Sequence, residues 1–200
     1  MNRTAHFYAR TIFAVGIAIV LAANVCAADE YALDNAHSSI GFAVKHLMVS
    51  TTKGEFTDYA GTIQFDPENI EATAVDVTIQ ATSIDTRVVK RDDHLRSPDF
   101  FDVEKFPTVT FKSKSVTKSG EGFVMTGDLT IHGVTKETAI PCTISGPVQS
   151  PSGAMVIGIT GETKINRQDF GLTWNKTLDQ GGYVVDDEVN ILVSVEAQKK

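Results

Sequence analysis

Four histidines and a knot of carboxylates are the residues of this chain best suited to chemistry. His37, His46, His94 and His132 lie in the body of the sequence, and Asp92 and Asp93 precede His94 in the segment RDDHLRSPDFFDVEKFP, Arg91 to Pro107. Imidazole nitrogen binds zinc, and a carboxylate can orient the ring, so a metal-assisted hydrolase built on these His and Asp residues is one reading. Their spacing argues against it. No HExxH, HxH or paired-cysteine pattern occurs, and the four histidines fall in separate elements. Nucleophilic catalysis has no better support: there is no GxSxG elbow, and Ser38 and Ser39 beside His37 are successive strand residues pointing to opposite faces. A phosphate cradle needs a glycine-rich turn that opens a helix, whereas Gly181-Gly182 leads into Tyr183-Val184-Val185. Cys142 keeps phase with Ile140 and Ile144, which predicts a buried apolar thiol.

The elements that would hold these residues are strands. From Tyr31 onward apolar residues recur with period two: Ile40, Phe42 and Val44; Val75, Val77 and Ile79; Val109 and Phe111; Met155, Ile157 and Ile159; Val189, Ile191 and Val193. With Gly54 to Asp66, Phe123 to Ile131 and Val134 to Val148, this predicts about eight antiparallel strands. Asp66-Pro67-Glu68-Asn69, Lys118-Ser119-Gly120 and Pro151-Ser152-Gly153 supply turns between them. A sandwich or an up-and-down barrel satisfies the pattern, and the barrel is preferred because closure removes exposed edges. One helical insertion is expected where Val88, Asp92 and Leu95 share a face and Ser97-Pro98 stops the helix, with a second turn after Asp99.

Arg3 and Arg10 precede an apolar run from Ile12 to Ala23, and Val25-Cys26-Ala27 offers small residues for cleavage, the pattern of a secretory signal peptide over residues 1–27. The run falls short of the roughly 20 residues that span a bilayer, and Val25 is a poor neighbour for acylation of Cys26. Export to the periplasm and one domain over 28–200 are expected. The formal net charge of the whole chain is −7. The leader contributes cations and no acids, so the remainder is more acidic still, which sets it against nucleic acid as a partner. Loss of Cys26 with the leader leaves Cys142 alone, so no internal disulfide forms.

Within Arg91 to Pro107 the charges can be satisfied as exposed pairs, Arg91 with Asp92 and Asp93 with Arg96, each worth about 0–1 kcal/mol. Phe100, Phe101 and Phe106 would each forfeit about 2 kcal/mol in water, so they should be buried, as plugs of one barrel end or as the lining of an entrance.

Five blocks then resemble the successive motifs of the YceI-like family: LDNAHSSIGFAVKHLMVSTTKGEFTDYAGTIQFDP (Leu33 to Pro67), SIDT (Ser83 to Thr86), RDDHLRSPDFFDVEKFPTVTF (Arg91 to Phe111), GDLTIHGVTK (Gly127 to Lys136) and INRQDFGL (Ile165 to Leu172). The resemblance implies an all-β fold, an eight-stranded antiparallel lipocalin-like barrel with a short helical insertion. It also implies a periplasmic binding or carrier protein, not an enzyme, whose interior holds a polyisoprenoid, an isoprenoid quinone or a similar long-chain lipid. It implies no catalytic residues, metal or cofactor, and it makes transient contact with a membrane or membrane protein a natural expectation. Oligomeric state does not follow from it. The apolar phase of the strands supplies the lining candidates Phe42, Val44, Phe56, Phe65, Val77, Ile79, Phe111, Met125, Leu129, Ile131 and Trp174, with Arg91, His94 and Arg167 as polar rim contacts. A barrel filled by its own side chains, serving as an interaction module, and the hydrolase reading stay open beside the carrier.

Overall fold

The computed structural model describes residues 28–179 and 181–200; the expected leader, residues 1–27, lies outside the described residues. Alternation of side chains across each strand is what builds the molecule. The strands are β1 (Asp29–His46), β2 (Ser50–Phe56), β3 (Tyr59–Phe65), β4 (Ala74–Gln80), β5 (Ile84–Asp85), β6 (Thr108–Ser119), β7 (Gly122–Ile131), β8 (Val134–Gln149), β9 (Met155–Asn166) and β10 (Val185–Lys199), with one α-helix, α1 (Val89–Arg96). Eight of them close a ring in the order β1-β3-β4-β6-β7-β8-β9-β10, and β10 returns to pair with β1. All the pairings are antiparallel. The expected eight-stranded barrel is therefore the fold.

The strand expected over Gly54 to Asp66 is broken in two. β2 pairs with the second half of β1, Ile40 opposite Phe56, and β3 with the first, Ala32 opposite Thr62. Between these halves the β1–β10 register slips from Asp34 to Ser39. Such a bulge bends a strand and leaves local ladder groups unpaired. Ser38 repairs the gap: its hydroxyl donates to the Glu196 carbonyl at 3.2 Å and accepts from the Glu196 N–H at 2.9 Å. β5 adds to the outer edge of β2.

The two barrel ends differ. Tyr31, Phe65 and Ile63 are almost wholly buried at the end holding the first residues of β1, where the Tyr31 and Phe65 rings meet edge to face at 6.0 Å. The opposite end, called here the mouth, carries the β1–β2 tip, the insertion between β4 and β6, the β7–β8 turn and the long connection from β9 to β10. His132 and Gly133 make that β7–β8 turn with φ of 51° and 73°; a Cβ on Gly133 would lie 2.5 Å from the Phe106 ring, so glycine lets the insertion pack close. No helix among the described residues is long and apolar enough to cross a membrane.

Candidate functional site

The insertion forms a lid over the mouth. α1 stops at Ser97, whose N–H and hydroxyl both donate to the His94 carbonyl, at 3.1 and 2.8 Å. After Pro98 no second helix forms; the turn expected after Asp99 is present as linked turns that end at Phe106, before Pro107. Phe101 N–H donates to Leu95 O at 3.0 Å, Asp102 N–H to Ser97 O at 3.0 Å and Phe106 N–H to Asp102 O at 2.9 Å. These turns drive Phe100 and Phe101 inward, and Phe101 meets Phe56 edge to face at 5.8 Å. Phe106 is only partly buried and packs instead on His132, ring centroids 4.4 Å apart.

Polar struts fasten this lid to β5. Asp92 is buried and accepts from the Thr86 N–H at 2.9 Å and from the Thr86 hydroxyl. Arg91 donates through Nε to that hydroxyl at 2.7 Å and through Nη2 to the Thr86 carbonyl at 2.8 Å. Arg91 and Asp92 thus converge on Thr86, and the expected pair between them does not form; helix neighbours one apart do not face each other. Arg96 donates to the carbonyls of Thr82 and Ile84, each at 2.8 Å, besides its exposed contact with Asp93 at 3.2 Å. Lys105 pairs with the buried Asp102 at 2.8 Å.

Beneath the lid the interior is neither solid nor an open tunnel. An upper hollow of about 140 Å³ lies under Leu95, Phe100 and Phe101, and a lower one of about 100 Å³ reaches Val75, Met125 and Cys142. Ile40, Ile79, Leu129 and Ile191 line both and form a waist between them. Of the expected lining residues, Phe42, Val44, Phe56 and Ile131 stand in the upper wall, Val77, Phe111 and Met125 in the lower, and Ile79 and Leu129 at the waist. Phe65 and Trp174 line neither hollow. Phe65 is spent on Tyr31 at the far end, and Trp174 packs on the lid, its ring 4.9 Å from His94 and 5.1 Å from Phe100. Val185, Val189 and Leu172 also line the upper hollow. Val189 shares the phase of Ile191 and was open to the same period-two argument; Leu172 lies in an irregular segment with no period to betray it.

The expected rim residues take structural posts. Arg167 is 5% exposed and lines the upper hollow, with every guanidinium nitrogen engaged. Nε donates to Asp186 O at 2.9 Å, Nη1 to the carbonyls of Leu172 and Trp174, the latter at 2.9 Å, and Nη2 to the Asp187 carboxylate at 3.0 Å. Burial pushes its pKa down, and Asp187 opposes the shift. His94 shares a hydrogen bond with Asp99 at 2.9 Å while its ring edges contact Phe100 and Trp174. Cys142 is buried, and desolvation raises its thiol pKa.

The histidines do not converge. Among the described residues the group with ligand atoms in mutual reach, within 4.8 Å, is Asp34, His37 and Glu196, on the outer wall at the β1 bulge. It excludes His94, His132, Asp92 and Asp93. His37 is exposed, and its bond to Asp34 at 2.9 Å raises the imidazole pKa and lowers that of the carboxyl.

Comparison with known proteins follows the same outline. A model of the YceI-like domain matches residues 31–197. A UPF0312 protein of Vibrio cholerae serotype O1 (strain El Tor Inaba N16961) is 41% identical over 167 residues, covering 82% of this chain and 88% of that protein. The crystal structure of the Campylobacter jejuni YceI protein matches with TM-score 0.68 and 39% identity over 78% of this chain and 90% of that one. A polyisoprenoid binding domain from Saccharophagus degradans matches with TM-score 0.62 over 85% of this chain and 98% of that one; at 16% identity it shares the fold.

Proposed function

The chain belongs to the YceI-like family, and on that premise we propose that it is a periplasmic carrier or store that sequesters a polyisoprenoid, an isoprenoid quinone or a similar long-chain amphiphile in the barrel without transforming it. The observation that carries this reading is the pair of apolar hollows that share Ile40, Ile79, Leu129 and Ile191 as a common wall. Every wall residue of the upper hollow is apolar except Arg167, whose polar atoms are turned to backbone carbonyls and Asp187. An apolar cavity of about 150 Å³ stays dry and accepts a benzene-sized hydrocarbon. The upper hollow, at about 140 Å³, is of that size. A prenyl tail threading both would displace little or no water and gain about 0.8 kcal/mol per buried methylene. No charged anchor is needed. The polyisoprenoid binding domain that shares this fold supports the ligand class, and the leader-like segment at residues 1–27 supports the compartment.

Organic extraction and native mass spectrometry of protein purified from its own host test the reading. A bound prenyl lipid, or uptake of ubiquinone or a polyprenol by the emptied protein, is the expected result. Protein that carries no lipid and takes up neither would overturn it.

A further inference from the structure

Soluble proteins place glycine, asparagine or aspartate where a hairpin turn needs positive φ. The β1–β2 tip breaks this rule twice. Leu47 and Met48 hold φ of 51° and 62°, in a turn closed by Val49 N–H donating to His46 O at 3.2 Å. They are also left in water, at 36% and 53% exposure, and Val49 is 82% exposed. Met48 rests on Gly182, and Leu47 N–H donates to Val184 O at 2.9 Å, so the tip is braced from behind. Its outer side is exposed. Strain and exposed hydrocarbon therefore coincide at Leu47 and Met48, with exposed Val49 beside them, the combination expected where function sets the conformation.

The surroundings extend the patch. Of seven large apolar side chains left exposed among the described residues, Leu47, Met48, Val49, Val88 and Tyr183 belong to mouth-end loops and Val89 opens α1 at the same end, while Val148 lies elsewhere, in β8. β5 runs antiparallel to β2, Ile84 opposite Phe56, so Arg87 to Lys90 follow it in the direction of the tip. Lys45 and Lys53 are exposed on the β1–β2 ribbon, with Lys45 opposite Thr51 and Lys53 opposite Ala43. Among the described residues neither makes an ion pair or a side-chain hydrogen bond, and no acid stands between them. These two cations stand directly behind the apolar tip, with the acids farther back: Glu55 two residues on from Lys53, and Asp186 to Glu188 of β10 between the His46–Val185 and Val44–Val189 pairs.

We propose that the mouth end docks on the surface of an anionic lipid bilayer, with Leu47, Met48 and Val49 immersed and Lys45, Lys53, Arg87 and Lys90 against the headgroups. The geometry suits a fluid partner. The tip is convex and only three residues wide, far from the roughly 800 Å² per partner of a stable protein interface. A second copy meeting it across a two-fold axis would set the same lysines against each other. Val185, which lines the upper hollow, pairs with His46, so the tip begins one residue past the level of the cavity wall. Apolar segments of interfacial proteins enter the headgroup and acyl boundary by about 5–10 Å. Immersion would bring the cavity mouth level with the lipids. The docking rests on the carrier reading for its purpose, yet it is measured with no cargo added, so either can fail while the other stands.

The test is sedimentation of the chain from residue 28, which contains every described strand of the closed barrel, with vesicles of phosphatidylcholine alone or with about a third phosphatidylglycerol. The protein is expected to bind the anionic vesicles, less so as salt rises, and not the neutral ones. L47S/V49S and K45E/K53E should each lower the bound fraction at least about tenfold with unchanged circular dichroism. Absence of binding by the parent, or equal binding by L47S/V49S, overturns the proposal. So does a parent that self-associates through the tip, shown by an elution mass that falls in L47S/V49S, without vesicle binding.

Discussion

At Arg167 a guanidinium is taken out of water and its hydrogen bonds are restored one nitrogen at a time, by three carbonyls and the half-exposed Asp187. Arg167→Leu would leave those carbonyls short of a donor, and a loss of about 3 kcal/mol is expected in urea unfolding. Arg167→Lys should recover less than half, since one ammonium cannot serve four acceptors in fork geometry. At His37 the expected outcome is spectroscopic. Asp34 holds the imidazole pKa above its ordinary value, so Asp34→Asn should bring the His37 transition, followed by proton NMR, back down. The sign follows because a raised imidazole pKa reports a favoured charged form, and removing the carboxylate removes the favour. Both sites show what a single residue's type conveys. That Arg167 matters is legible from its place in INRQDFGL; that it serves backbone carbonyls and not a ligand depends on Leu172, Trp174 and Asp186 folding around it.

At the scale of elements the lid is the informative part. Asp92 ties α1 to Thr86 through two hydrogen bonds and shares that threonine with Arg91. Asp92→Ala is expected to cost about 1–3 kcal/mol and to speed release of a bound prenyl lipid several-fold in a dilution experiment, because the lid loses its anchor while the hollow keeps its walls. Period-two alternation made the strands readable, and Ser97-Pro98 made the end of α1 readable. Two features were not. The break between β2 and β3 at Thr57-Asp58 answers the bulge in β1, and a bulge is a relation between strands that neither sequence segment announces alone. The Arg91–Asp92 pair fails for a similar reason: sequence adjacency suggests contact, whereas both side chains go to the Thr86 hydroxyl, Asp92 accepting from it and Arg91 donating to it, and not to each other.

For the whole molecule, the ring of eight strands could be counted along the chain, but its hollow could not. A barrel of this size can be filled or left with room for a ligand, and the outcome depends on how branched side chains from opposite walls interdigitate. Leu129 decides much of it. Leu129→Trp should fill the waist, keep the barrel folded by circular dichroism, and reduce uptake of ubiquinone at least about tenfold. Leu129→Ala should merge the two hollows at a stability cost of about 2–5 kcal/mol and admit bulkier tails. If the barrel holds the proposed lipid, the narrowing makes molecular length the property sorted. A hydrocarbon short enough to rest in the upper chamber would have only the lid to pass. A longer one has to push four aliphatic rotamers aside at each advance, and the same rotamers close behind it; selectivity of this kind is kinetic, expressed in how slowly the guest can back out.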